Sequence, residues 1–590
     1  MQVSARSFLK RRGQWARGQL QARIKDALGP ASRSGMAYRW GVAVATGESC
    51  CDLLQITSRY ACDVKASKFF DPTGLAPDLN AWLDRLRLGS ALAPSDAVMA
   101  TTLAAALPTL EGILPDEDLF SLVEVLLSLH RDAIRHTDPS NVVFLLLGAE
   151  LGWHLHLLNG GSHQPPTDTA FGESATSGLR QWCEHELESI PSSLQGTKHL
   201  RLVLASLVRC KKLGLLRGLD SEQKEPWKRV GKCIATWVLA LTRHRGLAGF
   251  SSLGADAIKD DRVRDGLLDQ AVKFEKEMLA NAKSSVLGIK AEESRSVSDG
   301  ALPPSMLHDL RGKLAVMMPK WSVGRARIHV DYHDEQVRCE IFHGKKPMIT
   351  GAIQNDLSIS GEVQRPIGAW EDVCEYSDED VHYLEIEQDW SGGAVLQRQF
   401  VLMRKDRCVL FADAVIPKKE NNDLGEISYQ CRLPISDSTS VKQEPDVREL
   451  FFAEGNRKSL GIPLAASEWR IGPTSCDWSV SADHHLVLSC SGSGRLYTPI
   501  WFDFARRRFA RKRTWRQLTV VDQLRIVDRH EAAGYRVQVG SEQWMIYRSL
   551  YGQRTRTVLG KHLIADFYCA KFDAGSGSFS EIITVDDSEE

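Results

Sequence analysis

The sequence predicts an α+β protein with several domains, in which a helical first half precedes an antiparallel β-sandwich. Three observations support this fold class. Apolar residues recur with helical spacing from about residue 78, a polar stretch follows at residues 284–304, and apolar and polar residues alternate with period two over Trp321–Val415. Helices and strands that are segregated along a chain form separate layers or domains, whereas a parallel sheet needs them to alternate.

Length and composition describe an ordinary globular chain. The 590 residues suffice for two or three domains with substantial cores, and the formal net charge of −1 provides no overall field that favours nucleic acid. The thirteen cysteines are scattered and lack zinc-ligand spacing. We therefore predict free cysteines in a reducing compartment, no disulfide framework, no metal site and no cofactor.

Residues 1–75 are mixed in character and are interpreted as an N-terminal extension. They begin with a basic segment, "MQVSARSFLKRRGQWARGQLQARIKDALG", which lacks the apolar centre of a signal peptide. No apolar run in the sequence reaches the length that spans a membrane, so we expect a cytoplasmic protein. An alternative for the basic segment is an amphipathic helix that lies on an anionic surface.

Residues 76–283 carry the helical pattern. The segment "DEDLFSLVEVLLSLHRDAIRHT" opens with acids and ends with Arg135 and His136, as the helix dipole favours. The next segment, "NVVFLLLGAELGWHLHLLNGG", is expected to end at Gly160-Gly161. Short loops join about eight such segments, so the sequence predicts antiparallel helix pairs.

Residues 305–583 are predicted to form the β-domain. They follow a linker composition at residues 284–304 and precede an acidic tail at residues 584–590. The alternation predicts strands with one face on a core and the other in water. Gly392-Gly393 and Lys405-Asp406 are turn signals between strands.

The run "HDEQVRCEIFHGKKPMITG" resembles the first β-domain strands of the heparinase II/III-like polysaccharide lyases. In that family these strands read His-x-Asp, an apolar strand, a glycine, and an apolar run that ends at glycine. His333 would take the histidine position, Glu335 the acid position, and Gly344 and Gly351 the glycine positions. "FVLMRKDRCVLFADAV" is similar to a later hairpin of the family that leads to an aspartate, here Asp413. Over residues 80–580, the resemblance implies an incomplete α/α toroid, a β-super-sandwich, and a substrate cleft between them.

The resemblance also implies β-elimination on a polysaccharide that contains uronic acid. A base removes the proton next to the carboxylate, a neutralising group stabilises the charge that develops there, and a tyrosine or histidine protonates the leaving oxygen. In the family the tyrosine and an asparagine come from the toroid, and a histidine comes from the β-domain. The present sequence has no tyrosine between Tyr60 and Tyr332, so the predicted helical array lacks that acid.

Four residues are candidates for the catalytic site: His333, Asn159, His136 and Arg135. His333 would act as base or neutraliser, and its alternative role is that of a solvated turn residue. Arg135 and His136 end a helix, where cations complement the dipole, but helix ends also line the cleft of a toroid. Asn159 lies at another helix end, and its alternative role is to end that helix before Gly160-Gly161. Trp153, in the same segment, is a candidate for substrate contact.

A second group of substrate-binding candidates is the basic segment "FARRRFARKRTWRQ". Its members are Arg506, Arg507, Arg508, Arg511, Lys512, Arg513 and Trp515. Arginine pairs bidentately with carboxylate or sulfate, and an aromatic ring can stack on a sugar, so the segment suits an acidic polysaccharide or another polyanion. The alternative is a hairpin whose arginines pair with surface acids. No specific nucleic-acid motif accompanies it.

Two functions follow from the sequence. The first is a divergent polysaccharide lyase that acts by β-elimination on an acidic polysaccharide. The second is a protein of the same fold that binds an acidic glycan or a protein partner without catalysis. The missing toroid tyrosine favours the second function, and the missing secretion signal favours an intracellular role for either.

Overall fold

The computed structural model divides the chain into two compact units, Met1–Pro303 and Pro304–Glu590. The structure describes residues 3–12, 15, 24, 26–27, 35–46, 51–62, 75–89, 91–139, 141–159, 170–185, 197–217, 219–251, 266–288, 302–322, 324–419, 423–472 and 474–586. Gly160-Gly161, most of the predicted linker and the end of the acidic tail lie outside these residues.

The first unit is helical. Its described α-helices are α1 (Ala5–Leu9), α2 (Met36–Arg39), α3 (Val42–Thr46), α4 (Asp52–Cys62), α5 (Leu75–Arg87), α6 (Pro94–Leu110), α7 (Asp116–His136), α8 (Val142–Phe144), α9 (Gly152–Leu158), α10 (Ala170–His185), α11 (Leu200–Leu213), α12 (Ser221–Ala240), α13 (Leu267–Ala271) and α14 (Lys276–Leu287). None of them is both long and apolar enough to cross a membrane. Helix α4 packs along α6, and the Thr109 hydroxyl donates to the Tyr60 carbonyl at 3.1 Å. The described helices at residues 35–62 therefore belong to the helical core.

One helix changes its hydrogen-bond spacing in the middle. Helix α8 continues into a π-helical segment, Leu145–Leu151, and then directly into α9. A π-helical turn inserts one residue into a helix, and such turns are frequent at functional sites. Every residue of the segment is buried, including the acidic Glu150. A charge at this depth requires a partner within the helical unit.

The second unit is built from antiparallel strands. In chain order they are β1 (Met306–Asp309), β2 (Leu314–Met317), β3 (Arg327–Asp331), β4 (Arg338–Phe342), β5 (Pro347–Ala352), β6 (Gln354–Ile359), β7 (Glu362–Gln364), β8 (Glu371–Ser377), β9 (Val381–Trp390), β10 (Ala394–Met403), β11 (Cys408–Pro417), β12 (Glu426–Pro434), β13 (Ser440–Gln443), β14 (Leu450–Glu454), β15 (Arg457–Pro463), β16 (Cys476–Val480), β17 (His485–Ser493), β18 (Leu496–Asp503), β19 (Arg513–Leu518), β20 (Val520–Asp522), β21 (Arg525–Ile526), β22 (Ala532–Val539), β23 (Glu542–Ser549), β24 (Arg556–Val558), β25 (Lys561–Leu563), β26 (Phe567–Asp573) and β27 (Ser578–Val585). A short helix, α15 (Arg506–Phe509), lies between β18 and β19.

The described strands form stacked sheets. The eight-stranded sheet has the order β13-β14-β15-β18-β11-β10-β9-β8, the five-stranded sheets are β1-β2-β3-β4-β5, β16-β17-β12-β6-β7 and β19-β22-β23-β26-β27, and the four-stranded sheet is β21-β20-β24-β25. One apolar core contains Phe400 and Leu402 and joins the eight-stranded sheet to the first two five-stranded sheets. A second core contains Val401 and Leu410. It joins the other face of the eight-stranded sheet to the third five-stranded sheet, β19-β22-β23-β26-β27. The unit is therefore a β-super-sandwich.

The central, eight-stranded sheet is more buried than the sequence pattern predicts. The alternation predicts one face in water for the strands before Val415, but β10 and β11 are buried on both faces. Burial on both faces explains the apolar runs at residues 400–403 of β10 and 408–412 of β11. The two predicted turns are present, at Ser391–Gly393 between β9 and β10 and between Met403 and Cys408.

Two cysteines correct the expectation that none is paired. Cys476 in β16 and Cys490 in β17 face each other in register, with their Cα atoms 4.1 Å apart, and form a disulfide. They are separated by 14 positions in the sequence. Their contact arises only when the two strands pair, so cysteine spacing alone did not predict it.

Buried His382 in β9 makes the second unit sensitive to acid. Burial lowers the pKa of its imidazole to about 4, although the hydrogen bond to the Met318 carbonyl acts in the opposite direction. The imidazole of His382 takes up a proton below about pH 6.5 in the unfolded chain, whereas in the folded chain it stays neutral until the pH approaches 4. The stability that this neutral histidine contributes is complete above about pH 6.5 and is lost as the pH falls towards 4.

Replacing His382 by glutamine is expected to make this loss of stability shallower. The free energy of unfolding should fall less steeply between pH 6.5 and 4.5, by up to about 1.4 kcal/mol per pH unit. Urea unfolding at several pH values measures the slope. His562→Gln, which removes an exposed histidine, is the matched control. Equal slopes in the wild type and His382→Gln would contradict the assignment.

Candidate functional site

His333 lies in the loop after β3 and is partly exposed. Its backbone N–H is 3.4 Å from Oδ1 of Asp331. Burial raises the pKa of Asp331, while the Arg338 cation and the hydrogen bond from the His333 backbone N–H act in the opposite direction. The loop continues with two exposed acids, Asp334 and Glu335. Because these carboxylates repel a polyanion, the surroundings of His333 give little support to its predicted catalytic role.

The spacing His-x-Asp also occurs within β3, at His329 and Asp331. Nδ1 of His329 lies 2.9 Å from Oε2 of Glu340, and both side chains are fully buried. The Thr350 hydroxyl donates to Oε1 of Glu340 at 3.3 Å. These contacts follow from the strand register, because His329 faces Glu340 across β3 and β4, and Glu340 faces Thr350 across β4 and β5.

Arg327 extends this polar group along β3. It precedes His329 by two positions, so the two side chains lie on the same face of the strand. Its guanidinium carbon is 4.0 Å from the centroid of the Phe342 ring, which also lies 4.8 Å from the His329 ring. We call these residues the β3–β5 cluster: Arg327, His329, Glu340, Phe342 and Thr350. The cluster combines a histidine, a carboxylate partner for it and a cation.

The sequence contained the signal for this cluster. Ile328 and Val330 belong to the apolar core of the sandwich, so Arg327 and His329 alternate with them onto the opposite face. The prediction of His333 as the family histidine depended on the glycines that follow, and their order fits a histidine in β3 as well. The missing information was the pairing of His329 with Glu340, which only the strand register provides.

The helix-end candidates lie in the first unit. Arg135 and His136 are exposed in the last turn of α7. Arg135 lines a cavity of about 190 Å³ together with His130. Asn159 follows α9, and its carbonyl accepts a hydrogen bond from Nη1 of Arg11 at 2.8 Å. The catalytic roles of Arg135, His136 and Asn159 stay predictions, and Asn159 has a structural contact that accounts for its position.

Trp153 does not fit the predicted role in substrate contact. Its side chain is 1% exposed, and its indole N–H donates to the Leu213 carbonyl at 3.1 Å. The ring stacks on His156 with 4.5 Å between the centroids. The position gives no support to the prediction, because an indole enclosed in the helical core has no exposed face for a sugar.

The π-helical segment carries a buried polar cluster. Nε and Nη2 of Arg209 donate to the two carboxylate oxygens of Glu150 at 2.6 and 3.1 Å, and the Ser206 hydroxyl donates to Glu150 at 2.7 Å. The Tyr38 hydroxyl lies 2.9 Å from Nε2 of His154. Burial raises the pKa of Tyr38 and lowers that of His154. The helical unit thus obtains a tyrosine from the N-terminal residues, but the hydroxyl is enclosed.

Much of the basic segment pairs with carboxylates of the second unit. Arg507 lies 2.8 Å from Glu542, and Arg513 pairs with Glu449. Trp515 is buried, and its indole N–H donates to a backbone carbonyl at 2.8 Å. These contacts favour the alternative in which the segment pairs with acids, and they give no support to substrate contact by Trp515.

Arg508 is also unavailable to a polyanion. It is buried, and its Nε and Nη2 donate to the two carboxylate oxygens of Asp503 at 2.7 and 3.0 Å. By contrast, Arg506, Arg511 and Lys512 are exposed, and none of the described carboxylates pairs with their side chains. Substrate contact by these three cations stays a prediction.

One group of potential metal ligands occurs among the described residues. Donor atoms of Asp528, His530 and Glu531 lie within 4.8 Å of one another. Both oxygens of Glu531 already accept hydrogen bonds from Arg525, at 2.6 and 2.8 Å. Because this carboxylate is occupied and a cation adjoins it, the group gives little support to a metal site.

A unit of paired helices followed by a layered antiparallel sandwich is the architecture of α/α-toroid polysaccharide lyases, and this chain has that fold. Heparinase III matches with a TM-score of 0.55 and 10% identity, over 84% of this chain and 82% of that chain. A mutant heparan sulfate lyase from Pedobacter heparinus matches with a TM-score of 0.50 and 10% identity, over the same shares. No family model and no curated protein matches. At this identity the structural likeness shows the fold alone.

Proposed function

We propose that the protein is a polysaccharide lyase that cleaves an acidic polysaccharide by β-elimination, with His329 as its base. The observation that carries the proposal is the β3–β5 cluster, where a histidine, its carboxylate partner and an arginine occupy one face of a sheet in a lyase fold. A buried histidine that pairs with a carboxylate is a common arrangement for general base catalysis.

Three polar residues of the cluster have a chemical role in this proposal. Glu340 accepts the Nδ1 proton of His329, so Nε2 is the nitrogen that acts as the base. Nε2 removes the proton next to the uronate carboxylate, and Arg327 stabilises the charge that develops on that carboxylate. The carbon–oxygen bond to the leaving sugar then breaks as the carbon–carbon double bond forms.

One histidine can complete the reaction without the toroid tyrosine. When the proton and the leaving oxygen depart from the same face of the sugar, the imidazolium returns the proton to that oxygen. The products are an unsaturated uronate and a free hydroxyl, and His329 is neutral again. Because His329 and Glu340 are fully buried, substrate reaches them only after a local opening, so we expect slow turnover.

The exposed cations Arg506, Arg511 and Lys512 favour a second candidate function, which is binding of an acidic glycan or a protein partner without catalysis. This function needs no opening of the β3–β5 cluster. It accounts for three exposed cations on one short stretch of surface with which none of the described carboxylates pairs. The two candidates differ in whether an unsaturated product forms.

The ultraviolet absorbance of the unsaturated uronate tests the proposal. Wild type should produce a rise in absorbance on at least one member of a panel of uronic-acid polysaccharides. His329→Ala should lower the rate by about 10²–10⁴-fold, which is typical for loss of a general base. His333→Ala is the matched control, and it should keep the wild-type rate because its side chain lies outside the cluster.

Further variants separate chemistry from folding. Glu340→Gln retains the shape of the carboxylate and should slow the reaction while the melting temperature changes less than in His329→Ala. Loss of activity in His333→Ala with activity retained in His329→Ala would overturn the assignment of the base. No product from any substrate, together with retention of the wild type on a glycan column, would establish the second candidate instead.

A further inference from the structure

A groove on the second unit takes no part in the proposed elimination. Two cavities of about 550 and 360 Å³ share Ala465, Ser475 and Arg529 in their walls, so they adjoin each other, and we treat them together as one groove. The wider part is lined by Trp469 and Ile471, and we call the whole the Trp469 groove. Its volume lies in the range of pockets that bind small ligands or a few units of a chain.

Trp469 presents its indole to solvent from a fixed backbone. Its side chain is 50% exposed, and the neighbouring Ile471 is 81% exposed. The Trp469 carbonyl accepts hydrogen bonds from the Ser467 hydroxyl at 3.2 Å and from Arg448. A large apolar side chain in water is informative when it adjoins a concave surface, because such patches mark recognition sites. These hydrogen bonds fix the backbone that carries the indole, so little backbone freedom is lost on binding.

Two arginines, Arg516 and Arg529, line the same part of the groove as Trp469. Arg529 is exposed, and none of the described carboxylates pairs with its side chain. Arg516 lies 2.6 Å from Glu468 through Nη1, so it neutralises the acid in the wall of the wider part. One exposed acid, Asp528, lines the narrower part. The wider part of the groove therefore offers a free guanidinium and an aromatic ring to a ligand.

Hydrogen-bonding side chains complete the lining of the wider part. They are Ser467, Thr474 and Gln517. An apolar ring face, hydroxyl and amide groups, and one unpaired guanidinium match the parts of an acidic sugar. The flat apolar face of a pyranose fits the indole, its hydroxyls fit the polar side chains, and a carboxylate or sulfate fits the arginine fork.

We infer that the Trp469 groove binds a segment of an acidic glycan, with a sugar ring on Trp469 and an acidic group on Arg529. The inference does not rest on the proposed elimination, because binding in the groove requires neither His329 nor Glu340. A lyase would use the groove to retain its polymer, and a protein without catalysis would use it as its recognition site. A single aromatic beside one free cation suits a sugar better than the long cationic track that a nucleic acid requires.

Binding of size-defined acidic oligosaccharides to the full chain tests the inference. The probes are heparan sulfate, chondroitin sulfate and polygalacturonate oligomers, with a neutral dextran oligomer and polyglutamate for comparison. All proteins carry His329→Ala, so cleavage does not alter the probe. Trp469→Ala should weaken binding about tenfold, as for an aromatic at a binding hot spot. Arg529→Gln should weaken it about two- to fivefold and make the affinity less dependent on salt.

Two matched variants control for general surface effects. Leu524→Ala removes an apolar side chain that is 100% exposed outside the groove, and it should leave the affinity unchanged. Arg365→Gln removes an exposed cation outside both the groove and the basic segment, and it should also leave the affinity unchanged. Arg511→Gln reports separately on binding by the basic segment. Loss of binding in Arg511→Gln with binding retained in Trp469→Ala would overturn the inference, as would absence of binding to every acidic oligosaccharide. Equal affinity for polyglutamate would also overturn it, because charge alone would then account for binding.

Discussion

Arg209→Met is expected to lower the free energy of unfolding of the helical unit by about 3–5 kcal/mol, because it leaves a carboxylate buried without its cation. Arg209 and Glu150 are fully buried and lie 2.6 Å apart. Arg209 also donates to the Ala37 carbonyl at 2.8 Å, so it connects α11, the π-helical segment and the N-terminal residues. Loss of the arginine therefore weakens three parts of the unit together.

A second substitution separates the loss of the cation from the loss of packing. Glu150→Leu in the Arg209→Met background removes the unpaired charge, and it should restore a large part of the lost stability. Chemical unfolding followed by circular dichroism measures both variants. If the double variant is as unstable as Arg209→Met alone, then packing around Arg209 matters more than its charge, and the electrostatic explanation is wrong.

Arg508→Met is expected to destabilise the second unit by about 3–5 kcal/mol, whereas Arg511→Met should change its stability by less than about 0.5 kcal/mol. Arg508 pairs with Asp503 at 2.7 Å and with Glu542 at 3.1 Å, and its guanidinium lies 5.0 Å from the Trp544 ring centroid. Burial raises the pKa of Asp503, and the Arg508 guanidinium opposes that rise. Without the arginine, Asp503 would take up a proton at a higher pH.

Arg511 is the matched control because it belongs to the same segment, carries the same charge and is exposed. Thermal unfolding of the two variants gives the comparison directly. Similar losses of stability in both would show that the segment acts through its total charge and not through the buried contacts of Arg508. The expected difference also predicts which arginines of the segment tolerate substitution in binding experiments.

The sequence predicted the order of the two units and many of their elements because that information is local. Helix α7 begins with acids at Asp116 and ends at His136, as its capping and charge pattern indicate. The turns around Gly392 and between Met403 and Cys408 follow from turn-forming residues between apolar runs. The β-super-sandwich follows from period-two alternation over a long stretch together with the family resemblance.

The candidate site was less predictable because its contacts are remote in sequence. Periodicity shows that His329 and Arg327 share a face, but it does not identify Glu340 as their partner. The Glu150–Arg209 pair joins residues 59 positions apart, and the Glu385–Arg548 pair joins residues 163 positions apart. A charged residue within an apolar run indicates that a buried partner exists, and only the packing of the elements identifies that partner.

The Cys476–Cys490 disulfide makes the attachment of an edge strand depend on the redox conditions around the protein. Strand β16 is the outermost strand of its sheet, and both cysteines line the narrower part of the Trp469 groove. Where glutathione keeps thiols reduced, only hydrogen bonds and packing hold β16, and the groove wall contains two thiols. Where the surroundings are oxidising, the wall is covalently closed. The redox poise of the compartment would therefore set how firmly this wall of the groove is held.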